Sequence, residues 1–377
     1  MSESITSTLK QKALDCGFDL VGIAPAVTPS GFHPFCEWLE NGFAGEMHYL
    51  ERRKEAYERL DLVLDGVKSL VLLAVNYHTV EPPELKPSEG RVSRYAWSGA
   101  DYHDVLRKKM KPLADFLHSE IPDCKTRGVV DTAPVLERDF AKLAGLGWFG
   151  KNTMLINKHI GSWFFLAALL VDFELEYDQP HESSHCGTCT RCLDACPTDA
   201  FPEPHVLDAS KCISYLTIEL RNAPVPIELR DKMGEWVFGC DICQDVCPWN
   251  RKAPISLEPA FQPTTGLSPV NAIQLLQTDD AQFKQRFKDT PLYRTDRAAL
   301  LRNAAIALGN AGDRAAIPVL VESLKDSEAL IRGAAAWALG KIAGGETVKV
   351  LELTLNGEAN SEVQEELTTA IQKLCET

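Results

Sequence analysis

Eight of the twelve cysteines fall between positions 186 and 247, and their spacing suggests a chemistry. Cys186-Gly-Thr-Cys189-Thr-Arg-Cys192-Leu-Asp-Ala-Cys196-Pro197 has the C-x2-C-x2-C-x3-C-P pattern that holds cubane iron–sulfur clusters. A second run, Cys240-Asp-Ile-Cys243-Gln-Asp-Val-Cys247-Pro248, follows, with Cys212 alone between the two. In two-cluster ferredoxins the fourth cysteine of such a run crosses to the other cluster. By that rule Cys186, Cys189, Cys192 and Cys247 hold one [4Fe-4S] cluster. Cys196, Cys212, Cys240 and Cys243 hold the second. A chain with two such clusters moves electrons. Structural zinc also uses C-x2-C pairs, but it has no reason to repeat C-x3-C-P. A disulfide framework would imply an oxidising compartment. Cys16, Cys36, Cys124 and Cys375 read most simply as packed thiols.

The elements that must carry these cysteines fall into three regions. A length of 377 residues implies two or three domains. Residues 1–180 mix helical and strand patterns. Ser69 to Val75 reads as a buried strand, Gly128 to Asp131 as a short strand ending at the aspartate, and Ser162 to Val171 as a third. Tyr102 to Ile121 has apolar residues at helical spacing. Residues 181–255 are the cysteine-rich insert, which needs little apolar core because bound clusters staple its loops. In residues 256–377, Arg302-Asn-Ala-Ala-Ile-Ala-Leu-Gly309 is echoed by Gly333-Ala-Ala-Ala-Trp-Ala-Leu-Gly340. Each is an Ala/Leu-rich helix followed by another, which is the signature of HEAT-like repeats; an ordinary helical hairpin is the alternative. The expected fold is a multidomain α+β protein: an α/β domain, a ferredoxin-like two-cluster domain and a C-terminal α-helical repeat.

The net charge of −14 argues against broad binding to nucleic acid or membrane, while leaving room for a local basic face. Met1 to Lys12 lacks the apolar core of a leader, and no apolar run reaches the roughly 18 residues of a membrane span. A soluble, cytoplasmic protein is expected.

Gly145-Leu-Gly147-Trp-Phe-Gly150 matches G-x-G-x-x-G, but Leu136 to Leu143 before it reads as helix, where a dinucleotide fingerprint needs a strand. A tight turn is the simpler reading; backbone passing close to a large planar cofactor is the other. Asp101-Tyr-His103 begins a D-x-H-x-x-G motif, but Leu106 occupies the glycine position. A histidine ligand below cobalt is therefore not supported.

Several segments together resemble the epoxyqueuosine reductases. They are Gly45 to Leu50, Arg94-Tyr95, Asp101-Tyr-His103, Val130-Asp-Thr-Ala-Pro-Val135 and Gly145 to Thr153. Beyond them come the first cysteine run, Leu216 to Arg221, Phe238 to Asn250, and Arg302 to Asn310. The resemblance spans nearly the whole chain. It implies a nitroreductase-like domain binding base-off cobalamin, two clusters that feed electrons to cobalt, and a HEAT domain that binds tRNA. The implied reaction converts the epoxide of epoxyqueuosine, at the tRNA wobble position, to queuosine and water. It also implies that Asp131 donates a proton to the opening epoxide, a role open to a carboxyl whose pKa is raised by desolvation. Without the resemblance, Asp131 reads as a turn or capping residue.

By the same resemblance Tyr95, Lys151 and Asn152 contact cobalamin, with Arg53 or Lys54 beside its polar groups. Phosphate binding needs clustered bases. Arg294, Arg297, Arg302, Arg332 and Lys341 are expected on one face of the tail, with Arg221 and Arg230 near the anticodon loop. A flavodoxin or ferredoxin system is the expected electron donor, and the expected state is a monomer. Two other functions fit the cysteine runs: a cobalamin-dependent reductase of small molecules, dehalogenase-like, and a non-enzymatic electron carrier.

Overall fold

The computed structural model describes residues 4–376. They group into two compact units, each discontinuous in sequence. Of the described residues, the first comprises 4–80, 100–210 and 242–262; the second comprises 81–99, 211–241 and 263–376.

The first unit is built on a fully antiparallel four-stranded sheet in the order Leu20–Pro25, Ser69–Asn76, Phe164–Val171, Thr126–Val129. Every residue of Ser69–Asn76 is buried, which explains why that strand reads as an unbroken apolar run rather than an alternating one. Its partner Phe164–Val171 is nearly as buried, and the two pair from Ser69↔Val171 to Asn76↔Phe164. One face of the sheet is covered by the Glu137–Leu143 helix, whose Phe140 and Ala141 are fully buried among Leu70, Leu72, Ala168 and Leu170. The helix Tyr102–Glu120 buries Leu106, Met110, Leu113 and Leu117, the i, i+4, i+7, i+11 stripe expected of an amphipathic helix. It starts at Asp101, whose carboxylate accepts the His103 backbone N–H.

The second unit contains the helical repeats. The helices Arg297–Ala311, Ile317–Ser323, Ala329–Ile342, Val348–Gly357 and Ser361–Glu376 follow one another, joined by short turns. The echoed glycines mark where helices touch. A Cβ on Gly309 would come within 2.7 Å of the Trp337 ring, and one on Gly340 within 2.9 Å of Ala370. A small three-stranded sheet, Trp236–Phe238, Glu89–Val92 and Val270–Asn271, belongs to the same unit. No helix among the described residues is long and apolar enough to cross a membrane.

Candidate functional site

None of the twelve cysteines is joined in a disulfide. In the first unit, Cys186, Cys189, Cys192 and Cys247 line one cavity of about 240 Å³, together with Lys151, Asn152, Ile156, His185, Arg191 and Trp249. This is the quartet that the crossing rule assigns to one cluster. The cavity is far larger than a single zinc ion bound at about 2.3 Å requires. Burial pushes the Cys192 thiol up to about 11, and the neighbouring Cys247 adds to the shift. Burial likewise raises Cys247. Four thiols gathered on one cavity are the donor set of an iron–sulfur cluster. Of the second quartet, Cys196 and Cys243 belong to the first unit and Cys212 and Cys240 to the second.

The loops carrying these thiols are tied to the sheet. Asn250 Oδ1 accepts the Ser162 N–H at 2.7 Å, and Gln244 Nε2 donates to the Ser162 carbonyl at 3.0 Å. Trp148 is 1% exposed, packs on Ile156 and Cys247, and meets Trp249 edge to face at 5.0 Å. Lys151 donates to the Gly187 carbonyl at 2.8 Å and Asn152 to the Cys243 carbonyl at 3.3 Å. Both residues therefore sit in the wall around the first cysteine quartet. The glycine motif beside them is required by the chain itself: a Cβ on Gly147 would lie 2.1 Å from the Ile156 carbonyl oxygen. Gly145 turns the chain at φ +78°, and Trp148–Phe149 then pairs with Leu155–Ile156 as a two-stranded ribbon.

The second constellation lies at the end of the sheet. The strand Thr126–Val129 stops two residues before Asp131, which adopts φ +58°. Its side chain is 60% exposed. Tyr102 Oη donates to Asp131 Oδ2 at 2.5 Å, and His103 Nε2 lies 3.4 Å from the same oxygen. His103 is fully buried, with its Nδ1 2.6 Å from Asp101 Oδ1. Tyr102 is fixed by stacking on Phe165, with ring centroids 4.2 Å apart. On the backbone side, Asp131 N–H donates to Glu137 Oε1 at 2.7 Å. Arg53 donates to the Thr132 carbonyl at 3.1 Å. Arg53 is exposed, and Lys54 beside it is half-buried. The arrangement offers an outward carboxyl backed by a phenol and an imidazole, which suits proton transfer to a ligand. Asp101, Tyr102 and His103 stood in a quoted motif without a role; the helix start at Asp101 is the signal that points them toward Asp131. Glu137 gave no signal.

In the second unit, Tyr95 packs against Phe238, just before Cys240. Two of the arginines expected to meet tRNA, Arg302 and Arg230, need correction. Arg302 is 1% exposed, and its guanidinium donates to the carbonyls of Leu216, Leu220 and Ala223 and to Asn303 Oδ1. Arg230 is 4% exposed, bound to Glu366 and the Val225 carbonyl. Neither has surface to offer a phosphate. Arg297 is held by Asp326 and the Thr278 carbonyl, and Arg332 forks onto both oxygens of Glu358. These two are also committed within the fold. Lys341 bonds Asp231 and Asn310. Arg221 and Arg294 are half-buried.

Comparison with known proteins accords with this geometry. Residues 58–132 match the family model described as epoxyqueuosine reductase. Residues 185–250 match a 4Fe-4S double cluster binding domain, and 291–372 match HEAT repeats. The epoxyqueuosine reductase of Cellulophaga algicola is 42% identical, covering 80% of this chain and 97% of its own. An epoxyqueuosine reductase crystallised with an epoxyqueuosine-modified tRNA-Tyr stem loop superposes with TM-score 0.91 at 34% identity, covering 98% of both chains. The Bacillus subtilis enzyme, solved with its catalytic aspartate loop swung out of the active site, gives 0.90 at 33% identity, again over 98% of both. The chain belongs to the epoxyqueuosine reductase family of oxidoreductases.

Proposed function

We propose that this chain reduces the epoxide of epoxyqueuosine at the tRNA wobble position to queuosine, the last step of queuosine formation, using cobalamin and two [4Fe-4S] clusters. The balance is two electrons and two protons in, with a carbon–carbon double bond and one water out. When bound, cobalamin supplies the reducing metal and the clusters supply its electrons. The chain's own part is to bind the RNA, present the base and deliver a proton. The observation that carries the reading is the outward Asp131 carboxyl, held by Tyr102 and close to the buried His103, in a chain of this family. Asp131 donates to the epoxide oxygen, and Tyr102 and His103 are placed to return a proton to it.

Among the corrin contacts, the exposed Arg53 and half-buried Lys54 suit the polar side arms of such a ring, because they flank the acid's loop. Tyr95 stays a candidate, and Lys151 and Asn152 serve the cluster wall first. Cys196, Cys212, Cys240 and Cys243 complete the second cluster. For tRNA, Arg221 and Arg294 are the first candidate contacts; burial removes Arg302 and Arg230, and Arg297 and Arg332 serve their ion pairs first. The division of labour runs 1–180 for catalysis, 181–255 for electron delivery and 256–377 for RNA. A flavodoxin or ferredoxin system provides the electrons, and the chain acts as a cytoplasmic monomer.

The test is anaerobic reconstitution with iron, sulfide and cobalamin, followed by turnover of epoxyqueuosine-containing tRNA. Asp131→Asn suits the positive φ, since asparagine tolerates that region, and it removes only the acid. It should lower kcat by roughly 10²–10⁴-fold while binding tRNA normally. Full turnover by this variant would remove the assigned acid. No affinity for tRNA would favour a small-molecule reductase instead.

A further inference from the structure

We propose that Glu137 is a positioning residue for Asp131: its carboxyl ties down the acid's own backbone amide and so keeps the Asp131 loop in its working conformation. The proposal rests on the acid role of Asp131 and goes beyond it.

Asp131 stands at φ +58°, a region that residues with a Cβ enter only when their surroundings insist. The loop is short. Thr132 N–H turns back to the Val130 carbonyl at 2.5 Å, and Arg53 holds the Thr132 carbonyl from the other side. Glu137 takes the amide of the strained residue itself, at 2.7 Å. It can do so because it opens the Glu137–Leu143 helix, which is anchored to the sheet by Phe140 and Ala141. The tie therefore runs from the core to the one residue whose backbone needs holding.

The charges around Glu137 decide how the tie responds to pH. Asp131 faces it from the loop. Arg53 and Tyr57 face the pair from the neighbouring short helices, and Arg138 and Asp139 lie on its own helix. Tyr102 and His103 lie on the far side of Asp131. Burial pushes the Glu137 carboxyl up to about 8, and the Asp131 charge adds to the shift. Below that pH a neutral carboxyl accepts the amide through its carbonyl oxygen and puts no negative charge beside the acid. Above it, an ionised carboxylate does.

The experiment compares Glu137→Gln and Glu137→Leu in the reconstituted protein. The glutamine keeps an acceptor; the leucine does not. Glu137→Leu should lower kcat roughly 10–100-fold with KM for tRNA little changed, as a misplaced catalytic group does. It should also speed amide exchange over residues 130–133 by about tenfold or more, a readout independent of turnover. In an Asp131→Asn background it should cost nothing further in kcat. Glu137→Gln should keep kcat within about threefold and the wild-type exchange pattern, while losing the alkaline limb near pH 8. Unchanged exchange in Glu137→Leu, or losses that multiply in the double variant, would overturn the proposal. If Glu137→Leu fails to fold, an alkaline limb that survives in Glu137→Gln overturns it. Full turnover by Asp131→Asn would instead overturn the acid assignment and leave the exchange result standing.

Discussion

Two polar clusters in this chain make opposite use of hydrogen bonds. Around Arg302 and Asn303, every donor points inward. The guanidinium takes three carbonyls in residues 216–223, and Asn303 Nδ2 donates to the Thr217 and Val237 carbonyls. Both side chains are buried. Around Asp131, the bonds come from behind and the carboxyl faces outward from a strained backbone. The first arrangement satisfies polar groups and stabilises a fold. The second holds a polar group against its conformational preference and leaves it accessible. What separates scaffold from chemistry here is the direction of the bonds, since both clusters are well supplied with partners.

The comparison predicts that damage at Arg302 is structural and large. Arg302→Met strands three carbonyls, two of them in buried bonds, and should cost about 3 kcal/mol or more in urea unfolding. Arg302→Lys should recover only part, because an ammonium lacks the planar fork. A stable Arg302→Met protein with weakened tRNA binding would reverse the assignment made above. Next, Cys192→Ala should cut reconstituted iron from about eight atoms to about four, read by elemental analysis. Loss of all iron would mean that the two quartets are not separable.

A smaller effect tests the coupled side of the comparison. Glu137 keeps its proton in the fold up to about pH 8, while the unfolded chain releases it near its ordinary value of 4.5. The native state thus binds more protons across that window, and unfolding free energy falls as pH rises through it, then levels off. Glu137→Gln removes the slope. The variant should gain about 2–3 kcal/mol over wild type at pH 8–9, the shift being discounted for a side chain that is only half-buried, and nothing at pH 4, measured by denaturant titration. Smallest is Arg332→Ala, which loses the fork onto Glu358. It should cost about 1–2 kcal/mol and leave affinity for a tRNA stem loop unchanged.

The cysteine chemistry was legible because most of its ligands are local in the chain: Cys186, Cys189, Cys192 and Cys196 fit a known pattern, and the cavity gathers Cys247 with the first three. The buried strand was legible because Ser69–Asn76 has no solvent face to interrupt its apolar run. Asp131 needed the family resemblance, since nothing in Val-Asp-Thr states a positive φ. The tail arginines misled for the converse reason. A charge at position 302 looks alike in sequence whether it meets a phosphate or three carbonyls some eighty residues earlier in the chain. Lys151 and Asn152 were placed with the corrin by motif, yet their nearest partners are backbone carbonyls of the cysteine loops. Sequence shows which groups carry charge; it does not show where each bond is directed.

The recurring glycines of the helical unit have a consequence for how this tail can change. Gly309 and Gly340 occupy equivalent places in successive layers, and each admits a side chain of the next layer at a distance no methyl would permit. Inter-layer spacing is thus set by an atom that is missing. Duplicating one such layer would transmit the same spacing onward, so the unit can lengthen by copying itself, whereas a single Gly→Ala exchange would wedge two layers apart and pass the displacement to everything stacked beyond.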